Sequence, residues 1–193
     1  ENDVFRPLVT DCPPPLTSFA PELGYYLTSL TKAALSGLRT GYLLAPEHMV
    51  TRLVARVRAT SWMACPAPAQ IATHLIRDGS LDALIETHRT EISRRQTIVD
   101  RFLDGYGHHR HPQGLNVWLP LPAHWRGNDF VAQARQMGVA VTSAEPFSVG
   151  RQAPPHAVRI SIGAAADRRQ LEKGLRQIRE ILSMRSEPAL LNL

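Results

Sequence analysis

Two rhythms of apolar residues divide this chain. Between residues 47 and 106 apolar positions recur at helical spacing, while beyond Gly114 short alternating runs take over, interleaved with helical ones. Glu47 to Arg58 carries Met49, Val50, Leu53, Val54 and Val57 on one stripe. Pro66-Ala67-Pro68 opens a second helix that runs through Ile76 and stops at Gly79. Ser80 is placed to cap a third helix reaching Tyr106, with Leu81, Leu84, Ile85, His88, Ile92, Val99, Phe102 and Tyr106 along one side. A helix that long predicts a spine, residues 80–106, joining two lobes.

Ahead of these helices, Gly24 to Leu30 is rich in strand formers, and Thr40 to Ala45 reads as a strand stopped by Pro46. Asp3-Val4-Phe5 reads as the end of a strand, and Asp11 to Thr17 as a Pro-rich loop. After Gly114, Leu115-Asn116-Val117-Trp118-Leu119 alternates as a strand does. A helix over Asn128 to Met137 leads into Val139-Ala140-Val141, and His156 to Ile162 alternates again. Asp167 to Met184 is amphipathic, with Leu171, Leu175, Ile178 and Leu182 inward. Residues 107–185 thus predict a small α/β lobe of a short sheet with covering helices, residues 1–79 belong to a first lobe, and 186–193 read as a tail.

The chain has 193 residues, 44% hydrophobic and 20% charged, which is ordinary for a globular protein. No apolar run is long enough to span a bilayer, and the start does not read as a signal peptide, so a cytoplasmic protein is expected. Cys12 and Cys65 lack metal spacing and read as reduced thiols. The chain opens on Glu1-Asn2-Asp3 without Met, as expected of a piece of a longer protein. The net charge of +5 is scattered, with acids and bases alternating as in Glu91-Ile92-Ser93-Arg94-Arg95, which favours a solvated surface over a nucleic-acid patch. His108-His109-Arg110-His111 has the look of a metal tract, but no carboxylate or Cys stands near it, and no metal is expected. His74 and His88 read as packing or rim residues, and Trp62 and Trp118 as core or interface aromatics.

Lysine usage changes the picture. Of 22 Lys and Arg, only Lys32 and Lys173 are Lys. Lys32 stands in an almost uncharged stretch, Leu27-Thr28-Ser29-Leu30-Thr31-Lys32-Ala33-Ala34-Leu35-Ser36-Gly37-Leu38-Arg39-Thr40-Gly41-Tyr42. Arg is permanently protonated, whereas a Lys amine can lose its proton and attack a carbonyl. A hydroxyl three residues before Lys32 and a guanidinium seven after it would suit a phosphorylated aldehyde, with Gly37 and Gly41 beside Arg39 allowing close backbone approach.

This run resembles the pyridoxal-phosphate lysine signature of class I/II aminotransferases. The resemblance covers nearly the whole chain. Gln113-Gly114-Leu115-Asn116-Val117-Trp118-Leu119-Pro120-Leu121-Pro122 is similar to the first strand of that family's small domain, and Val158-Arg159-Ile160-Ser161 to its carboxylate-binding strand. The Trp118-Leu119-Pro120-Leu121-Pro122 and Ala157 to Gly163 versions look most like the MocR branch, in which a GntR-like winged-helix domain precedes an aminotransferase-like one. The resemblance implies the end of the large pyridoxal-phosphate domain, a long connecting helix and a complete small α/β domain. It also implies that Lys32 forms the Schiff base with pyridoxal phosphate and shuttles the α-proton, that Ser29 and Arg39 bind the phosphate, and that Arg159 clamps an amino acid's carboxylate. A homodimer is implied, with Ser61 near its shared site, and DNA binding only through an N-terminal domain outside this chain.

Asn2 and Phe5 fall where that family places an Asp on the pyridine nitrogen and a Tyr on the phenolic oxygen. An amide stabilises a protonated pyridinium less than a carboxylate does, so weak or absent transamination is expected. Two functions stand side by side: the effector module of a GntR/MocR-type regulator that senses pyridoxal phosphate or an amino acid, and part of a stand-alone aminotransferase. Without the upstream half of the site, this chain alone is expected to bind pyridoxal phosphate weakly or not at all.

Overall fold

The computed structural model describes residues 1–184; Arg185 and the expected tail 186–193 lie outside the described residues. Two compact units, 1–90 and 91–193, divide the chain within one helix.

The first unit is built on a hairpin. β1 (Tyr26–Ser29) pairs antiparallel with β2 (Gly41–Leu44), from Tyr26 opposite Leu44 to Ser29 opposite Gly41. On its other edge, Leu27 forms a parallel bridge with Asn2. The Asp3 amide donates to the Leu27 carbonyl at 2.8 Å, and the Leu27 amide donates to the Glu1 carbonyl at 2.9 Å. The expected strand end at Asp3-Val4-Phe5 is corrected here. Pairing stops at Asn2, and the chain turns into a 3-10 turn over Arg6–Leu8. Pro7 has no amide for a ladder and a φ suited to a helical turn, so extension ends there.

Three helices follow: α1 (Glu47–Ser61), α2 (Pro66–Arg77) and α3 (Ser80–Leu103). Their limits follow from local chemistry. Pro46 ends β2 and precedes the first turn of α1, and Pro66 occupies the first turn of α2, where a missing amide costs nothing. The α3 cap differs from expectation. Ser80 is the first helical residue, and the Asp78 carboxylate accepts its amide at 2.9 Å, which holds Asp78 below the usual carboxylate range. Gly79 reaches φ 78, open to glycine without strain. α3 ends at Leu103, short of Tyr106. The apolar stripe of α1 is present as read, but no α1 residue is buried.

The second unit holds a four-stranded antiparallel sheet in the order β3 (His109–Arg110), β4 (Asn116–Pro120), β6 (Ala157–Ser161), β5 (Thr142–Ser143). Period-two alternation sorts its side chains. Val117, Leu119, Val158 and Ile160 are buried. They share the core of this unit with Phe130 and Ala134 of α4 (Gly127–Gln136) and Leu171, Leu175, Ile178, Ile181 and Leu182 of α5 (Arg168–Ser183). Each buried Val, Leu, Ile or Phe among them contributes about 1.5–3 kcal/mol when removed from water. The Asp167 carboxylate caps α5 by accepting the Gln170 amide at 2.7 Å. The opposite face carries Trp118, Arg159 and Thr142 in one row across three strands.

Candidate functional site

The loop between β1 and β2, closed by the Ser29–Gly41 pair, carries Lys32 and Arg39. Its apolar residues hold it down. Leu30, Ala33, Ala34 and Leu38 are buried, and Leu30 and Leu38 pack with Ala72 of α2, beside Leu75 and Leu81. The Ala34 amide donates to the Leu30 carbonyl at 2.9 Å, and the Leu38 amide donates to the Leu35 carbonyl at 3.2 Å. His88 of α3 donates from Nδ1 to the Ala33 carbonyl at 3.0 Å, fixing the residue next to Lys32. Lys32 itself is exposed, as is Arg39, and Ser29 is half-buried at the end of β1.

Arg39 adopts φ 47, in the left-handed region, while Gly37 and Gly41 do not. The spacing argument placed the close approach at those glycines. A Cβ at Gly37 would meet nothing within 4 Å, and one at Gly41 would meet the Thr28 carbonyl at an ordinary 3.6 Å. The conformational burden rests on the arginine instead.

A parallel bridge puts its two side chains on one face, and alternation carries the Leu27 face on to Ser29. Asn2 therefore shares a face with Ser29. Asp3 stands on the other side. Its carboxylate faces Arg6 at 3.3 Å, and its carbonyl accepts from Thr28 Oγ1 at 3.4 Å. Burial, then the Asp3 charge, pushes the Tyr26 hydroxyl above its ordinary value. Phe5 is exposed in the turn before Arg6.

In the second unit, Arg159 lies between Trp118 and Thr142 in register. Its Nη2 donates to Thr142 Oγ1 at 3.4 Å, and its Cζ sits 4.9 Å from the centre of the Phe147 ring. Trp118 meets Phe147 edge to face at 6.0 Å. Arg159 Nε is enclosed with no hydrogen-bond partner among the described residues.

The other singled-out residues fall elsewhere. Ser61 ends α1, exposed, its Oγ donating to the Val57 carbonyl at 3.4 Å. Trp62 is 70% exposed, which removes the core half of its core-or-interface reading. His74 is exposed beside Asp78 at 3.3 Å. The stretch His108 to His111 does have a carboxylate partner, Asp100 of α3, contrary to the sequence reading. His108 Nε2 meets it at 3.0 Å, and Arg110 donates to it through Nε at 2.6 Å and through Nη2. The Arg110 bonds hold Asp100 below the usual carboxylate range. Among the described residues no group of three or more His, Cys, Asp or Glu is arranged for a metal ion. No described helix is long and apolar enough to cross a membrane.

The end of β1 and the loop after it thus offer a hydroxyl, an amine and a guanidinium, a donor set that fits a phosphorylated aldehyde such as pyridoxal phosphate. Thr142 and Phe147, which flank Arg159 in the second unit, were missed in the sequence, and His88, which holds Ala33, was read only as a packing or rim residue. Only the folded register brings each to its partner.

Comparison with known proteins supplies the context. The family described as aminotransferase class I and II matches residues 12–178, a range that includes Ser29, Lys32, Arg39 and Arg159 and stops short of Asn2 and Phe5. An uncharacterised HTH-type transcriptional regulator of Bacillus subtilis (strain 168), YdeF, is 33% identical over 169 residues, 88% of this chain and 37% of that protein. Among solved structures, α-aminoadipate aminotransferase LysN of Thermus thermophilus, complexed with N-(5'-phosphopyridoxyl)-L-leucine, superposes at TM-score 0.79 with 22% identity, over 94% of this chain and 49% of that one. An aromatic aminotransferase of Pyrococcus horikoshii gives 0.77 with 19% identity, over 94% and 50%. The chain therefore spans about half or less of these relatives. With a family match over most of its length and an aminotransferase fold in both units, this chain belongs to the class I and II aminotransferases.

Proposed function

We propose that this chain is the cofactor-binding effector part of a GntR/MocR-type transcriptional regulator, which senses pyridoxal phosphate or an amino acid held with it. The observation that carries the reading is the 33% identity, over 88% of this chain, to a protein named as an HTH-type transcriptional regulator. That protein has most of its length outside the match, room for a DNA-binding domain. The intact protein is proposed to bind DNA through such a domain, to act as a homodimer and to work in the cytoplasm.

Ser29 and Arg39 would hold the phosphate by charge-assisted hydrogen bonds, and Lys32 would engage the aldehyde carbon and move a proton at the α-carbon of the amino acid. Arg159 would hold the carboxylate. Pyridoxal phosphate, when bound, supplies the electron sink for that carbon. Asn2, on the Ser29 face, would offer the pyridine nitrogen an amide rather than a charge, and Phe5 offers no hydroxyl. Both choices support binding with little turnover.

The test is an absorbance titration of the full-length protein with pyridoxal phosphate, followed by an amino-acid panel and operator-DNA binding. Stoichiometric binding that disappears in Lys32→Ala, with DNA affinity changing on ligand addition, is expected. Rapid transamination with no DNA affinity would overturn the regulator in favour of a stand-alone aminotransferase.

A further inference from the structure

A guanidinium presents a carboxylate with either of two edges, and a long flexible side chain does not choose between them unaided. Around Arg159 the choice is made. One ring face of Phe147 lies 4.9 Å from Cζ, Nε is enclosed without a partner, and Nη2 leans on Thr142 Oγ1 at 3.4 Å. Nη1 makes no hydrogen bond among the described residues and is not enclosed. The end of the guanidinium away from Nε, where Nη1 carries no partner, is therefore the end left to a ligand. The Thr142 contact is long for a hydrogen bond and orients the group only weakly. Phe147, in turn, sits in a short 3-10 turn, Glu145–Phe147, and is 45% exposed, so its own packing does not fix it either. Trp118 does, meeting the Phe147 ring edge to face at 6.0 Å from the strand position directly opposite Arg159. Trp118, Phe147 and Arg159 close a triangle in which strand register sets two corners and the ring contact sets the third. Glu145 is tied to Asn128 Nδ2 at 2.7 Å, which anchors the turn that carries Phe147.

We propose that Phe147 is the positioning residue of the carboxylate seat. Backed by Trp118, it holds the Arg159 guanidinium plane so that the Nη1/Nη2 end faces a ligand carboxylate. This rests on the reading of Arg159 as that seat. A cation gains energy from an aromatic face only while it stays over the ring, so the ring restricts the guanidinium without neutralising it. An aliphatic side chain in the same place would fill the space and leave the guanidinium free to rotate.

The experiment uses the full-length protein and sodium 4-methylpentanoate as the carboxylate probe, titrated by calorimetry, with the Arg159 Nε–H resonance followed by NMR. Phe147→Leu is expected to weaken the probe about fivefold with an unchanged melting temperature, and Phe147→Tyr to restore wild-type binding. The Nε–H resonance should broaden in Phe147→Leu alone. Arg159→Lys is expected to abolish binding. Loss of binding in Arg159→Lys together with wild-type affinity and an unshifted Nε–H resonance in Phe147→Leu would overturn the role of Phe147 and leave the seat standing. Wild-type affinity in Arg159→Lys, or no binding by the wild type, would overturn the seat itself. Should Phe147→Leu melt early, Phe147→Met is measured in its place under the same criteria.

Discussion

Replacing Glu91 by Gln should cost the second unit a clamp whose strength depends on acidity in a defined direction. Glu91 of α3 receives Arg168 Nε at 3.0 Å and Nη2 at 2.5 Å from α5, and Arg95 Nε at 2.8 Å from its own helix. Arg95 goes on to donate to the Ile162 and Ala165 carbonyls at 2.9 and 2.8 Å, so the carboxylate organises the chain just before α5. The Arg168 bond, above all, lowers the Glu91 carboxyl from 4.5 to about 2. At about 1.4 kcal/mol per unit this depression sets a ceiling of about 3–4 kcal/mol. The Glu91 side chain is 33% exposed and that of Arg168 45%, and solvent screening at such sites reduces the expected loss to roughly 1–2 kcal/mol. The folded value lies below the unfolded one. The contribution is therefore whole above pH 4.5 and fades as pH falls towards about 2. Urea unfolding of wild type and Glu91→Gln at pH 7 and pH 3 measures it. The stability gap should be roughly 1–2 kcal/mol at pH 7 and about half that at pH 3. A gap of equal size at both pH values, or none at pH 7, would refute the argument.

Two further outcomes bear on the Lys32 loop. Leu38→Ala removes a buried anchor packed with Leu30 and Ala72 and should destabilise the loop by about 2–4 kcal/mol, seen as faster hydrogen exchange at the Ala34 and Leu38 amides with little change in the second unit. Arg39→Gly trades a left-handed arginine for a residue at ease there. Its melting temperature should change by no more than the equivalent of about 1 kcal/mol, while affinity for pyridoxal phosphate, measured by absorbance, falls clearly.

What could be read in advance followed how local its cause was. α5 was legible because its stripe and its Asp167 cap both lie within the helix. The turn that carries Lys32 was legible because strand-forming residues bracket it on both sides. β3 was not, since two residues, His109 and Arg110, carry no period and become a strand only against Val117 and Trp118. The Asp100 partnership of His108 and Arg110 escaped for the same reason, as it depends on where α3 ends relative to the sheet. Asp3 to Phe5 misled because strand-forming residues were outweighed by the proline two positions on. Arg39 was read as a charge and turned out to be a backbone feature too.

The register of the two sheets has a bearing on the order of assembly. The β1–β2 hairpin closes a short loop, so the segment that carries Ser29, Lys32 and Arg39 can form through local contacts early in folding. Arg159 depends on Trp118 across β4–β6 and on Thr142 across β5–β6, and the first of these joins residues more than forty positions apart. Its surroundings must wait for a slower closure. Pulse-labelled hydrogen exchange during refolding should protect the Ser29–Gly41 hairpin before the Trp118–Arg159 pair, and the reverse order would contradict this. The arm proposed for the cofactor would then be in place while the arm proposed for the amino acid is still being made.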